Sequence, residues 1–141
     1  MKPEKAVLVD TGVWYAVADR SDRHHREAID HYRQIFKDFY QVIVTNLIIA
    51  ESYNIIRRTL GYRAGSNFLN NLTASPRVKM VFSNRETEER AGEILRRYQD
   101  QDFSYTDAVS FAIMEKMDIR HACTFDRHFI VAGFEAIPSL K

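Results

Sequence analysis

The sequence predicts an α/β domain of three layers, a mainly parallel sheet of four or five strands with helices on both faces. Three observations carry this. Short runs rich in β-branched residues alternate with longer stretches of helical period. The runs are continuously apolar, as strands buried on both faces are. The chain has 141 residues, of which 38 are Leu, Ile, Val or Phe, enough for a sizeable core in one domain spanning residues 1–141.

AVLVD at 6–10 reads as the first strand. Ser21 or Asp22 then caps a helix to about Phe36, with Ala28, Ile29, Tyr32, Ile35 and Phe36 on one face. VIVT at 42–45 is the second strand, and Thr45 or Asn46 caps a helix, apolar on much of its circumference, that Gly61 ends. VKMVF at 78–82 is the third strand. Glu86 to Tyr98 starts acidic and ends basic, which suits the helix dipole, and a last long helix runs from about Thr106 to Lys116. HACTF at 121–125 and FEAIP at 134–138 complete the strands.

Composition narrows the function classes. With 20 basic and 19 acidic residues, a net charge of +1, no global field favours a nucleic acid, a membrane surface or an acidic partner, so any such site is local. The single cysteine, Cys123, excludes an internal disulfide and a thiolate zinc knuckle, and is expected in the core of a protein from a reducing compartment. The apolar stretch from Ala6 to Val9 is stopped by Asp10, too short for a signal peptide, and no apolar run approaches the roughly 20 residues of a membrane span. A soluble, cytoplasmic protein is expected. GYRAGS lacks the lysine of a phosphate-binding loop.

Parallel sheets bind ligands at the carboxyl ends of their strands, near a switch in strand order, so the polar residues after each strand matter most. Asp10 closes the first strand and Asp126 follows the HACTF strand. Asp107 opens the last long helix, and Glu51 lies in the first or second turn of the helix after VIVT. These four carboxylates can converge over one sheet edge. Two carboxylates about 4 Å apart repel by about 4 kcal/mol at an effective dielectric of about 20, a conflict that a divalent cation resolves. Oxygen ligands without a Cys or His pair point to Mg²⁺ or Mn²⁺, ions that also bind substrate phosphates. Taken singly, each acid has a simpler account: Asp10 and Asp126 as turn or cap residues, Asp107 as the acid of a capping box with Ser104, and Glu51 as an exposed helix acid.

The order VDTGVWYAVAD, TNLIIAES, FSYTDAVSFAIM and ACTFDRHF resembles the PIN domain, in particular the small ribonucleases of the VapC toxin type, over nearly the whole chain. The resemblance implies a PIN-like fold and an acidic tetrad at Asp10, Glu51, Asp107 and Asp126, with no departure at those positions. It implies Mg²⁺ or Mn²⁺ held chiefly by Asp10 and Asp107, with Glu51 and Asp126 completing the site. It also implies endonucleolytic cleavage of RNA, a small antitoxin partner and a homodimer. Thr11, Ser104, Thr106 and Thr124 resemble the family's hydroxyls beside the acids, and either orient a carboxylate or water or cap helices. Asp102 suits the pattern DxSxTD as a supporting residue.

Arg57, Arg58 and Arg63, with Arg20, Arg23 and Arg26, are candidates for holding RNA, and Tyr53, Tyr62 and Tyr105 for stacking bases. Ile48, Ile55, Ile56 and Tyr53 are candidates for a protein interface. His128 is either a general base or a packing residue, whereas His24, His25 and His31 read as surface. Two other functions are kept open: a PIN nuclease of RNA processing or of DNA without an antitoxin, and a non-catalytic RNA-binding module.

Overall fold

The computed structural model describes residues 4–138; the outermost three positions at each end of the expected 1–141 domain lie outside the described residues. The elements are β1 (Glu4–Val9), α1 (Thr11–Ala18), α2 (His25–Asp38), β2 (Phe39–Thr45), α3 (Asn46–Leu60), α4 (Tyr62–Ala74), β3 (Val78–Val81), α5 (Arg85–Arg97), α6 (Tyr105–Met117), β4 (His121–Cys123), α7 (His128–Val131) and β5 (Glu135–Ile137). All five strands are parallel, in the order β3-β2-β1-β4-β5. The register sets Val7 against Val42 on one side of β1 and Leu8 against Ala122 on the other.

From β1 the chain builds outward through β2 to β3, then returns to lay β4 and β5 on the opposite side of β1. Strand order therefore reverses between β1 and β4, and the crevice such a reversal opens lies beyond Val9 and Cys123. Helices flank the sheet in two packed groups, α1 to α4 and α5 to α7. Leu8, Ile43, Ile48, Ile56, Phe111 and Phe129 are fully buried between them, each contributing about 1.5–3 kcal/mol of transfer free energy.

The helix starts follow local chemistry. The side chain of Thr45 accepts from the Ile48 amide, that of Asn84 from Thr87, and that of Ser104 from Asp107. The expected start of α2 at Ser21 or Asp22 is corrected to His25. Asp19 takes both the amide and the hydroxyl of Ser21, and Asp22 takes the His24 amide, so two successive side-chain turns delay the helix.

α1 and α4 add to the helices expected from the sequence, α4 burying Gly65, Phe68 and Leu72 at helical spacing. Thr11, Val13, Trp14 and Ala16 of α1 are buried, and Trp14 Nε1 donates to the Val9 carbonyl while its ring meets Tyr32 and Phe68 edge-on. α4 packs against α3 through Gly65, where a Cβ would lie 2.9 Å from the Tyr53 ring. Ile48 and Ile56 are 0% exposed, which corrects their assignment to a protein interface: they belong to the core that seats α3. Among the described residues no helix is long and apolar enough to cross a membrane.

Candidate active site

Asp10 occupies the cap position of α1 yet makes no side-chain capping hydrogen bond. Its Oδ2 instead accepts from the hydroxyl of Thr124, at 3.0 Å. That hydroxyl in turn accepts from the Asp126 amide, at 2.9 Å, so one threonine ties together the acids that follow β1 and β4. Asp126 Oδ1 accepts from the His128 amide and opens α7.

Asp107 is reached from the other side of the cleft. It is the acid of the capping box at the start of α6, its Oδ2 accepting from the Ser104 amide at 3.2 Å. The same oxygen lies 3.1 Å from His128 Nδ1, and Asp126 Oδ2 lies 3.3 Å from that nitrogen. Capping and convergence are thus two uses of one carboxylate. Glu51, half-buried in the second turn of α3, lines the same cleft, which encloses about 820 Å³.

Asp10 and Asp107 are buried, and water cannot solvate their charge. Burial first, and the charge of Asp107 second, push the Asp10 carboxyl up to about 7. Burial likewise raises Asp107 above the usual carboxylate range, against the opposing pull of His128. Directly beneath, the Cys123 thiol is pushed up to about 12 by burial and then by Asp10, which keeps it protonated and inert in the core.

These residues fit a divalent cation. The donors are hard carboxylate oxygens whose mutual repulsion a cation relieves, and the Thr11 hydroxyl, on the cleft wall, is buried with no hydrogen-bond partner among the described residues. One ligand-type atom each from Asp107, Asp126 and His128 lies within 4.8 Å of the others.

Of the remaining expected residues, the Thr124 hydroxyl orients Asp10, whereas the Ser104 hydroxyl caps α6 and only its backbone amide reaches the Asp107 carboxylate. Thr106 is half-buried and is not among the residues lining the cleft; Asp102 lines its rim. Arg57, Arg58 and Arg63 are exposed at the end of α3 and the start of α4, outside the cleft, where Arg57 lies over the Tyr62 ring. The arginines that line the cleft are Arg23 and Arg127. His24 also lines it, which corrects its reading as a plain surface residue. His128 was legible only as the neighbour of Asp126; its bond to Asp107 spans 21 positions and has no local signal.

Residues 7–135 match the PIN domain. The chain belongs to the PIN domain family. Within that family it is 32% identical to the 23S rRNA-specific endonuclease VapC20 of Mycobacterium tuberculosis, over 91% of this chain and 95% of the relative. It is 25% identical to a VapC ribonuclease of Archaeoglobus fulgidus, over 88% of this chain and 79% of that one. The crystal structure of VapC20, described as a sarcin-ricin loop cleaving toxin, superposes with a TM-score of 0.83 at 30% identity, covering 91% of this chain and 95% of the other. VapBC2 of Rickettsia felis, bound to a DNA fragment from its promoter, shares the fold with a TM-score of 0.70 at 9% identity, covering 93% of this chain and 98% of that one. In this PIN chain the acids sit at the strand-order reversal that defines the ligand crevice of the fold.

Proposed function

We propose that this PIN chain is a metal-dependent endoribonuclease that hydrolyses RNA phosphodiester bonds as the toxin of a toxin–antitoxin pair, with residues 1–141 forming a single nuclease domain. The observation that carries the reading is the meeting of Asp10, Asp107 and Asp126, from three separate elements, in one cleft with Glu51. The likeness to VapC20 and to a VapC ribonuclease supports RNA as the substrate, and the description of VapC20 as a toxin supports a cognate antitoxin as the partner. A homodimer and a cytoplasmic location belong to the same reading.

Asp10, Glu51, Asp107 and Asp126 are the residues that would hold Mg²⁺ or Mn²⁺. When bound, such an ion lowers the pKa of an attacking water and offsets charge on the phosphoryl group. The chain's own residues prepare that site. Thr124 orients Asp10, and Ser104 and His128 orient Asp107, so both carboxylates are held before any ion arrives. Arg23 and Arg127 at the rim supply positive charge for the RNA backbone around an otherwise acidic cleft.

The test is cleavage of a mixed RNA panel with Mg²⁺ or Mn²⁺, with EDTA and Asp107→Asn as controls. Cutting that both controls abolish is the expected result. Folded protein that binds neither ion and cuts no RNA would favour the non-catalytic RNA-binding module instead.

A further inference from the structure

We propose that the stacked rings of His24 and Phe125 form a subsite for one unpaired RNA base beside the scissile phosphate. The proposal rests on the nuclease reading above and names where its substrate sits.

The two rings lie 4.5 Å apart at 17°, a parallel stack, in the same cleft as the acids. Phe125 stands between Thr124, which holds Asp10, and Asp126, so its ring is placed by the segment that builds the acidic site. His24 covers Phe125 and keeps 36% of its own side chain exposed.

The plane of His24 is held from several sides. Its amide donates to Asp22 Oδ2 at 2.9 Å, its Nε2 accepts from Arg23 Nε at 3.1 Å, and its Nδ1 faces Glu27 Oε2 at 3.5 Å. The connection that carries it is anchored at both ends, by Asp19 to Tyr15 and Ser21 and by His25 Nδ1 to the Ala16 carbonyl. Little ordering is left for a ligand to impose.

The chemistry around the rings selects the ligand. Arg23 and Arg127 are the arginines of a cleft that is otherwise acidic, and Arg23 lies against the imidazole itself, so a phosphate next to a base stacked on His24 would meet a cation there. An aromatic face beside cations, next to acids that suit a phosphate-bound metal, matches a nucleotide whose base is free to stack. Paired bases bury their faces within the helix, so the subsite reads a single-stranded, bulged or looped nucleotide.

The test compares the wild type with His24→Ala, His24→Phe and Phe125→Leu. Binding of a single-stranded RNA oligonucleotide is followed by anisotropy with Ca²⁺ in place of the catalytic ion, and cleavage is measured with Mn²⁺. His24→Ala should weaken binding about 5- to 100-fold, the range expected for loss of one base–aromatic stack. His24→Phe should restore binding, both His24 variants should melt like the wild type, and Phe125→Leu, which also loses core packing, should weaken binding at a temperature where it remains folded. Unchanged binding by His24→Ala, or failure of His24→Phe to rescue, overturns the subsite while leaving the nuclease intact if the wild type cuts RNA. A wild type that neither binds nor cuts any RNA fails the nuclease reading itself and removes the subsite with it.

Discussion

The hydroxyl of Thr124 donates to Oδ2 of Asp10 at 3.0 Å, joining residues 114 positions apart across the two strands where the sheet order reverses. The Thr124 hydroxyl oxygen in turn accepts from the Asp126 amide. Thr124→Val keeps the shape and deletes both bonds. Metal affinity and RNA cleavage should fall about 10- to 100-fold, as when the hydrogen-bond partner of a metal-binding carboxylate is lost, with a stability loss of about 1–3 kcal/mol. Calorimetric titration with Mn²⁺, beside a denaturant melt, separates the two effects.

The raised Asp10 carboxyl makes the metal-free protein pH-sensitive in a definite direction. The group titrates at 3.8 when unperturbed and at about 7 in the fold. Between those values the folded state binds more protons than the unfolded one, so stability is greatest at the acid end and falls as pH rises through about 7. Asp10→Asn should therefore stabilise the metal-free chain at pH 8 by an amount on the order of a few kcal/mol, and so raise its Tm. A cation at 100 times its Kd should stabilise the wild type by about 2.7 kcal/mol and the variant far less. Thermal melts across pH 5–9, with EDTA and with Mn²⁺, check both signs.

His128 touches two acids from opposite sides of the cleft, Asp107 at 3.1 Å and Asp126 at 3.3 Å. His128→Ala should lower kcat/KM about 10- to 100-fold through weaker metal binding. His128→Gln, which keeps a donor, should recover part of the loss. Cleavage that does not change in either variant would remove His128 from the site.

Ile56 is fully buried on α3, between the sheet and the neighbouring helices. Ile56→Ala should cost about 2–5 kcal/mol in urea unfolding, as a core truncation does. Any effect on self-association should follow stability and not precede it, which sedimentation at matched folded fractions would reveal.

Much was legible in the sequence because it is written locally. Short runs rich in apolar and β-branched residues marked the strands, four or five expected and five found, although the edge strands β3 and β5 carry the exposed Lys79 and Glu135. Thr45 and Ser104 marked the starts of α3 and α6 by side-chain capping. The motifs around Asp10, Glu51, Asp107 and Asp126 carried the family, and their positions after strands and at helix starts aimed them at one sheet edge. α1 was not legible because it is apolar on most of its faces, whereas α4 carries a helical period at Gly65, Phe68 and Leu72 that its glycine and asparagines disguise as a loop.

Tertiary structure alone decided the rest. The order β3-β2-β1-β4-β5 brings the ends of β1 and β4 together, and no local pattern encodes that adjacency. It made Thr124 the link between Asp10 and Asp126, and His128 the contact between Asp126 and Asp107. It also moved Ile48 and Ile56 from a supposed interface into the core and stacked His24 on Phe125 inside the cleft. The physical reason is the same in each case. Sequence sets what a residue can do through its own period and neighbours, whereas partners more than a turn or two away are set by which strands pair, and that depends on the packing of the whole sheet.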